Sequence, residues 1–138
     1  MSSTSETESQ VRDVLEGWAA ATRQNRKDDI LKNLTANLVI FDVLPPMQYE
    51  SVAAYRAGWG GDWQPDTQRE GQFGLENLVI AFGSDLASAH CCIRCGGTLP
   101  DGRSFQDVVR ATFCLRKDDG HWKVFHQHVS KPFQMAGK

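Results

Sequence analysis

Apolar positions recur at a helical period near the start of this chain and alternate with polar ones over most of its second half. Val11, Leu15, Trp18, Ala19 and Thr22 fall on one stripe of a helix. The S-x-x-E form of Ser5-Glu6-Thr7-Glu8 reads as a capping box that starts it, and the polar run from Arg23 to Lys27 ends it. A shorter helix follows, with Ile30, Leu31 and Leu34 facing inward. Leu38 to Val43 (LVIFDV) reads as a buried strand interrupted by one charge, Asp42. Pro45-Pro46 halts regular structure, because proline has no N–H to give to a ladder. From Ser51 a third helix is expected, with Val52, Tyr55 and Trp59 at compatible spacing, stopped by Gly58, Gly60 and Gly61. Asp62 to Gln68 then forms a loop carrying Trp63 and Pro65.

The remainder reads as strands and turns: Gln72 to Phe82, Leu86 to Thr98, Arg103 to Lys117, and a last strand to about Ser130. Lys117-Asp118-Asp119-Gly120 supplies the Asp-Gly signal of a tight hairpin turn, since Gly120 takes positive φ at little cost. In the run before it, Arg110, Thr112 and Cys114 share a face opposite Val109, Ala111, Phe113 and Leu115. In the run after it, strict alternation puts Trp122, Val124, His126 and His128 on one face and Lys123, Phe125, Gln127 and Val129 on the other. Both faces carry bulky groups, so this hairpin belongs in the middle of a sheet and is expected to be covered on both sides. Helices first and strands afterwards predict an α+β fold, with helices packed on one face of an antiparallel sheet.

A length of 138 residues fits a single domain with a real core, spanning about residues 8–133 between short polar tails. A net charge of -2 gives no basic footprint, which argues against nucleic acid. No apolar run reaches membrane-spanning length, and the polar, acidic start is unlike a secretory signal, so no membrane partner and a cytoplasmic location are expected. Cys91, Cys92, Cys95 and Cys114 have neither zinc-ribbon spacing nor the look of a secreted disulfide framework; they read as buried small apolar residues.

A first helix, a short second one, LVIFDVLPPMQY, a third helix ending AYRAGW, and RATFCLRKDDGHWKVFHQHVSKPF together resemble the SnoaL-like, ketosteroid isomerase-like branch of the nuclear transport factor 2-like superfamily. The likeness runs from about Val11 to Phe133, and the closing His-x-His-x-Ser-x-Pro is its most specific part. It implies a cone in which a curved antiparallel sheet wraps the long first helix, with two further short helices and a pocket at the open end. It also implies a homodimer through the outer sheet face. Such folds host isomerases, cyclases, hydratases and non-catalytic binding domains, so function must come from the site.

Asp42 is the sharpest candidate: a carboxylate in an apolar strand, its pKa raised by burial, suits a general base. The resemblance sets it at the proton-shuttling carboxylate of ketosteroid isomerase; the alternative is a turn cap or a structural pair with Arg110. Arg110 balances an enolate in the first reading and sets sheet register in the second. His126 is the preferred proton-transfer partner. His90 and His128 join it either as pocket groups or as a three-histidine metal site. The metal reading is the weaker, so neither metal nor cofactor is expected. Tyr49, Trp59, Trp63 and Phe73 are candidate ligand-binding aromatics near the mouth. The helix position near Trp18 offers no hydroxyl and the strand around Arg110 no acid, so the oxyanion hole of the steroid isomerase is missing. Two functions follow. One is a cofactor-independent acid–base enzyme acting on a small apolar carbonyl compound. The other is a non-catalytic small-molecule-binding or dimerisation module.

Overall fold

A computed structural model describes residues 3–43, 45–58, 72–98 and 102–133. The elements in chain order are α1 (Ser3–Arg23), α2 (Lys27–Leu31), β1 (Leu34–Phe41), α3 (Val52–Gly58), β2 (Gln72–Phe82), β3 (Leu86–Thr98), β4 (Ser104–Asp118) and β5 (His121–Ser130). Helix α1 begins at Ser3, ahead of the Ser5 expected to cap it. Its other end is closed by Asn25, whose φ of 56° turns the chain left-handed. The Arg26 N–H then reaches the Ala21 carbonyl at 2.9 Å and the Asn25 N–H the Thr22 carbonyl at 3.2 Å, satisfying two carbonyls the helix leaves open. Leu34 opens β1 instead of closing a helix, and β1 stops at Phe41, so Asp42 lies just past the strand.

The five strands form one sheet in the order β1-β5-β4-β3-β2. The neighbours from β5 to β2 are antiparallel, while β1 joins β5 in parallel, so the sheet is mixed and not wholly antiparallel. The β4–β5 turn is a two-residue loop with Asp119 at φ 51° and Gly120 at φ 81°, the doubly left-handed turn whose twist suits a hairpin. That hairpin lies in the interior of the sheet, as its pattern predicts.

The inner face of the sheet packs on α1. Val11, Leu15 and Ala19 of the helix are essentially unexposed, as are Leu38, Ile40, Phe113 and Leu115 of the strands. Trp18 anchors the contact, edge-on to Phe113 at 5.4 Å and to Phe73 at 5.2 Å between ring centroids. Fully burying such side chains stabilises by roughly 1.5–3 kcal/mol each before chain entropy is counted. Of the four free cysteines only Cys91 is buried; Cys92, Cys95 and Cys114 are partly open. Burial pushes the Cys91 thiol up to about 11. No helix among the described residues is long and apolar enough to cross a membrane.

Candidate functional site

The site begins with the phase of β5. Leu115 pairs with Val124 but Cys114 pairs with His126, so Phe125 is an extra residue in the ladder. This bulge reverses the alternation beyond it. Trp122 and Val124 face the core, and so do Gln127 and Val129, while His126 and His128 turn to the outer face. The unbroken alternation expected from sequence is therefore corrected. An unbroken phase would have put two imidazoles into the core beside Trp122 and left Val129 outside.

Arg110 and the three histidines share that outer face. His90 pairs with Thr112, and Thr112 with His128, which pairs with Phe41. The ring of Phe41 stands edge-on to His126 at 4.9 Å and to His128 at 5.3 Å. His126 Nδ1 lies 2.7 Å from the Val39 carbonyl, so that nitrogen carries the proton and donates. The Arg110 Nε–H donates to the Ser130 hydroxyl at 3.2 Å. The nearby carboxylate of Glu76 is taken by Arg94 through two bonds of 2.9 and 3.4 Å.

Asp42 stands apart from this group. Leu38 and Ile40 point inward, and Asp42 follows them with the same parity beyond the strand end. It is exposed, which corrects the expectation of a buried carboxylate. Its Oδ1 accepts from the Val43 N–H at 2.7 Å, and no ion pair with Arg110 forms. Protein packed on one side still desolvates the carboxyl and raises its pKa, with the Val43 N–H opposing. Tyr49 bridges to Ile40 through backbone bonds of 2.9 and 3.0 Å and meets Tyr55 edge-on at 5.4 Å. Phe73 is half-buried against Trp18. Trp59 and Trp63 lie outside the described residues. Asp42, Arg110 and His126 are thus not brought together around one cavity.

Two open grooves flank the sheet and helix. One, of about 330 Å³, is lined by Arg23, Phe73, Leu75, Glu76 and Arg94 among others. The other, of about 290 Å³, is lined by Gln10, Asp13, Asn33, His121 and Trp122 among others. Neither includes Asp42, His126 or Arg110. Among the described residues no three His, Cys, Asp or Glu side chains are grouped to hold a metal ion.

Two features escape a reading of the sequence. Gln127 is 3% exposed, and its Oε1 has no partner; the indole nitrogens of Trp18 and Trp122 and the Thr35 hydroxyl are likewise buried and unpaired. The signal for Gln127 was the cost of the alternative, two histidines beside Trp122. Asp107 accepts from Lys131 at 2.6 Å, and this bond, then the Val108 N–H, lowers its pKa. Nothing local in the sequence pairs residues 24 apart.

A family model for the SnoaL-like domain matches residues 11–134. The chain belongs to the SnoaL-like family. Among solved structures, this SnoaL-like chain is similar to a nuclear transport factor 2-like protein of unknown function from Pseudomonas putida. The two are 32% identical, with 96% of this chain and 92% of that one covered and a TM-score of 0.83. It also shares its fold with the association domain of a Caenorhabditis elegans calmodulin-dependent kinase, CaMKII, at 13% identity, 94% and 98% coverage and a TM-score of 0.73. A candidate ketosteroid isomerase from Shewanella frigidimarina matches at 21% identity, 86% and 92% coverage and a TM-score of 0.65. No curated protein matches.

Proposed function

We propose that this SnoaL-like protein works as a homodimer, a module that pairs through the outer face of its sheet. The observation that carries this is the distribution of charge on that face. Its central rows hold Val79, His90, Thr112, His128 and Phe41, then Ala81, Ser88, Cys114, His126 and Val39, with no permanent charge. Arg94 with Glu76, Arg110, and Arg116 with Asp118 stand at the margins. An uncharged centre and a charged rim are the anatomy of a protein interface. Five strands spaced about 4.8 Å apart, over nine or so residues of rise, present roughly 700 Å², close to the ~800 Å² per partner of a stable complex. Relatives of this fold include association and hub domains, which supports self-association as a use for it. Sedimentation velocity tests the reading: the chain is expected to run as a dimer, and Thr112→Arg, a charge at the centre of the face, to make it a monomer. A dimer that survives Thr112→Arg sinks it.

A second reading is favoured by one observation, the pKa of the Asp42 carboxyl just past the end of β1, raised by desolvation. In it Asp42 accepts a proton from the carbon next to the carbonyl of a small apolar substrate held at the open end of the cone. His126 and Arg110, on the opposite face, act in no such step unless a second copy supplies them. Deuterium exchange into cyclic ketones, followed by NMR, is expected to occur with the parent chain and to stop with Asp42→Asn. Equal exchange by both proteins excludes Asp42 as the base.

A further inference from the structure

The same face carries a band of imidazoles that a paired sheet would have to hold uncharged. His90 and His128 flank Thr112 in one row across β3, β4 and β5, and His126 sits in the adjoining row opposite Cys114. His90 and His128 are exposed in the single chain, and His126 is half-buried with one nitrogen committed to Val39. We infer that pairing through this face is gated by protons: the dimer forms with neutral imidazoles and separates when they are protonated. The inference rests on the reading of this face as the self-association surface.

The sign follows from what surrounds the band. On β2 and β3, Glu76 is bound by Arg94. On β4, Arg116 holds Asp118, while Arg110 donates to Ser130 and has no carboxylate partner among the described residues. On β5, Lys123 pairs with Arg116 in register, which brings two cations side by side. Next to His128 on β1 is Phe41, where the strand ends; the exposed Asp42 that follows has its Oδ1 engaged by the Val43 N–H. Among the described residues, the remaining ionisable groups of the face are His121, in register with Asp118 at the turn, and the thiols of Cys92 and Cys114. Among the described residues of the face, four cations therefore meet two carboxylates, both already engaged, so new positive charge meets repulsion. Covering the band with its own image brings six imidazoles together in a water-poor layer, where the charged form is disfavoured.

Histidine changes charge between about pH 8 and pH 5. Each imidazole that must stay neutral 1.5 units below the ordinary value near 6.5 weakens pairing by a factor of about 30. Two such groups per dimer suffice for several hundredfold, so the expected rise in Kd from about pH 8 to about pH 5 is at least ~100-fold.

Sedimentation equilibrium of the full chain at those two pH values and constant ionic strength reads this directly, with circular dichroism at each pH to show that the chain stays folded. The expected result is a dimer at the higher pH and a weakened or absent dimer at the lower. The triple change His90→Gln, His126→Gln and His128→Gln is expected to pair equally at both. Should the triple variant fail to fold, His90→Gln with His128→Gln, both at exposed positions, must cut the pH effect by about tenfold or more. His121→Gln, at the β4–β5 turn and off the band, must leave the effect intact. A monomer at both pH values removes the pairing surface itself. A dimer of equal Kd at both keeps the surface and overturns the gate. Persistence of the full effect in the histidine variants, or its loss in His121→Gln, also overturns the gate.

Discussion

Asp42 shows how little a residue's neighbours in sequence say about its surroundings in space. Five apolar neighbours suggested burial, yet the strand ends at Phe41 and leaves Asp42 exposed on a rim. Because its folded pKa is raised, protonated Asp42 favours the fold, and that contribution is lost as pH rises through the folded value. Asp42→Asn keeps an oxygen for the Val43 N–H and removes the charge, so at neutral pH its melting temperature is expected to equal or slightly exceed that of the parent. Melts at acidic and neutral pH check this, and the gain must vanish in acid. Asp107 runs the other way: its lowered pKa makes its contribution full above the ordinary aspartate value and lost as pH falls below it. Gln127 offers a third test at this scale. Its buried Oε1 lacks a partner, so Gln127→Met, of similar length, is expected to change stability in urea by +1 kcal/mol or so, in the stabilising direction. A clear loss would mean that the amide oxygen is met by something the chain alone does not provide.

Among the elements, the β4–β5 hairpin was the most legible. Two β-rich runs and an Asp-Gly pair specified both strands and the turn between them, because a doubly left-handed loop admits few residue types. Gly120→Ala, at φ 81°, is expected to cost about 1 kcal/mol in a chemical melt. A second glycine is held for a different reason: a Cβ on Gly96 would sit 2.6 Å from the Phe105 carbonyl of the facing strand. Gly96→Ala therefore has to push backbone aside and is expected to lose ~1–3 kcal/mol. The bulge at Phe125 was not legible. One added residue moves every later side chain to the other face, and no residue type announces it. That single step carried His126 and His128 out of the proposed pocket and Gln127 into the core.

For the whole molecule, the open question in the pattern was what covers the second face of a mid-sheet hairpin with bulk on both sides. Within one chain α1 covers only the inner face, and the outer one is left with exposed Val79 and Leu86 beside its histidines. The proposed homodimer would cover that face, and it has a thermodynamic signature apart from sedimentation. If folding and pairing are coupled, the melting temperature at neutral pH is expected to climb with protein concentration, and Thr112→Arg to abolish that climb. A concentration-independent melt in the parent chain would speak against a dimer.

The identity and order of the elements came from the sequence alone, because periodicity, turn chemistry and helix-ending polar runs are local and each acts within a few residues. The parallel seating of β1 against β5, the bulge, the Asp107–Lys131 contact and the separation of Asp42 from Arg110 and His126 were decided only in three dimensions. Each of those depends on register between segments far apart in the chain, and register is set by how the assembled core fills, which no short stretch of residues encodes.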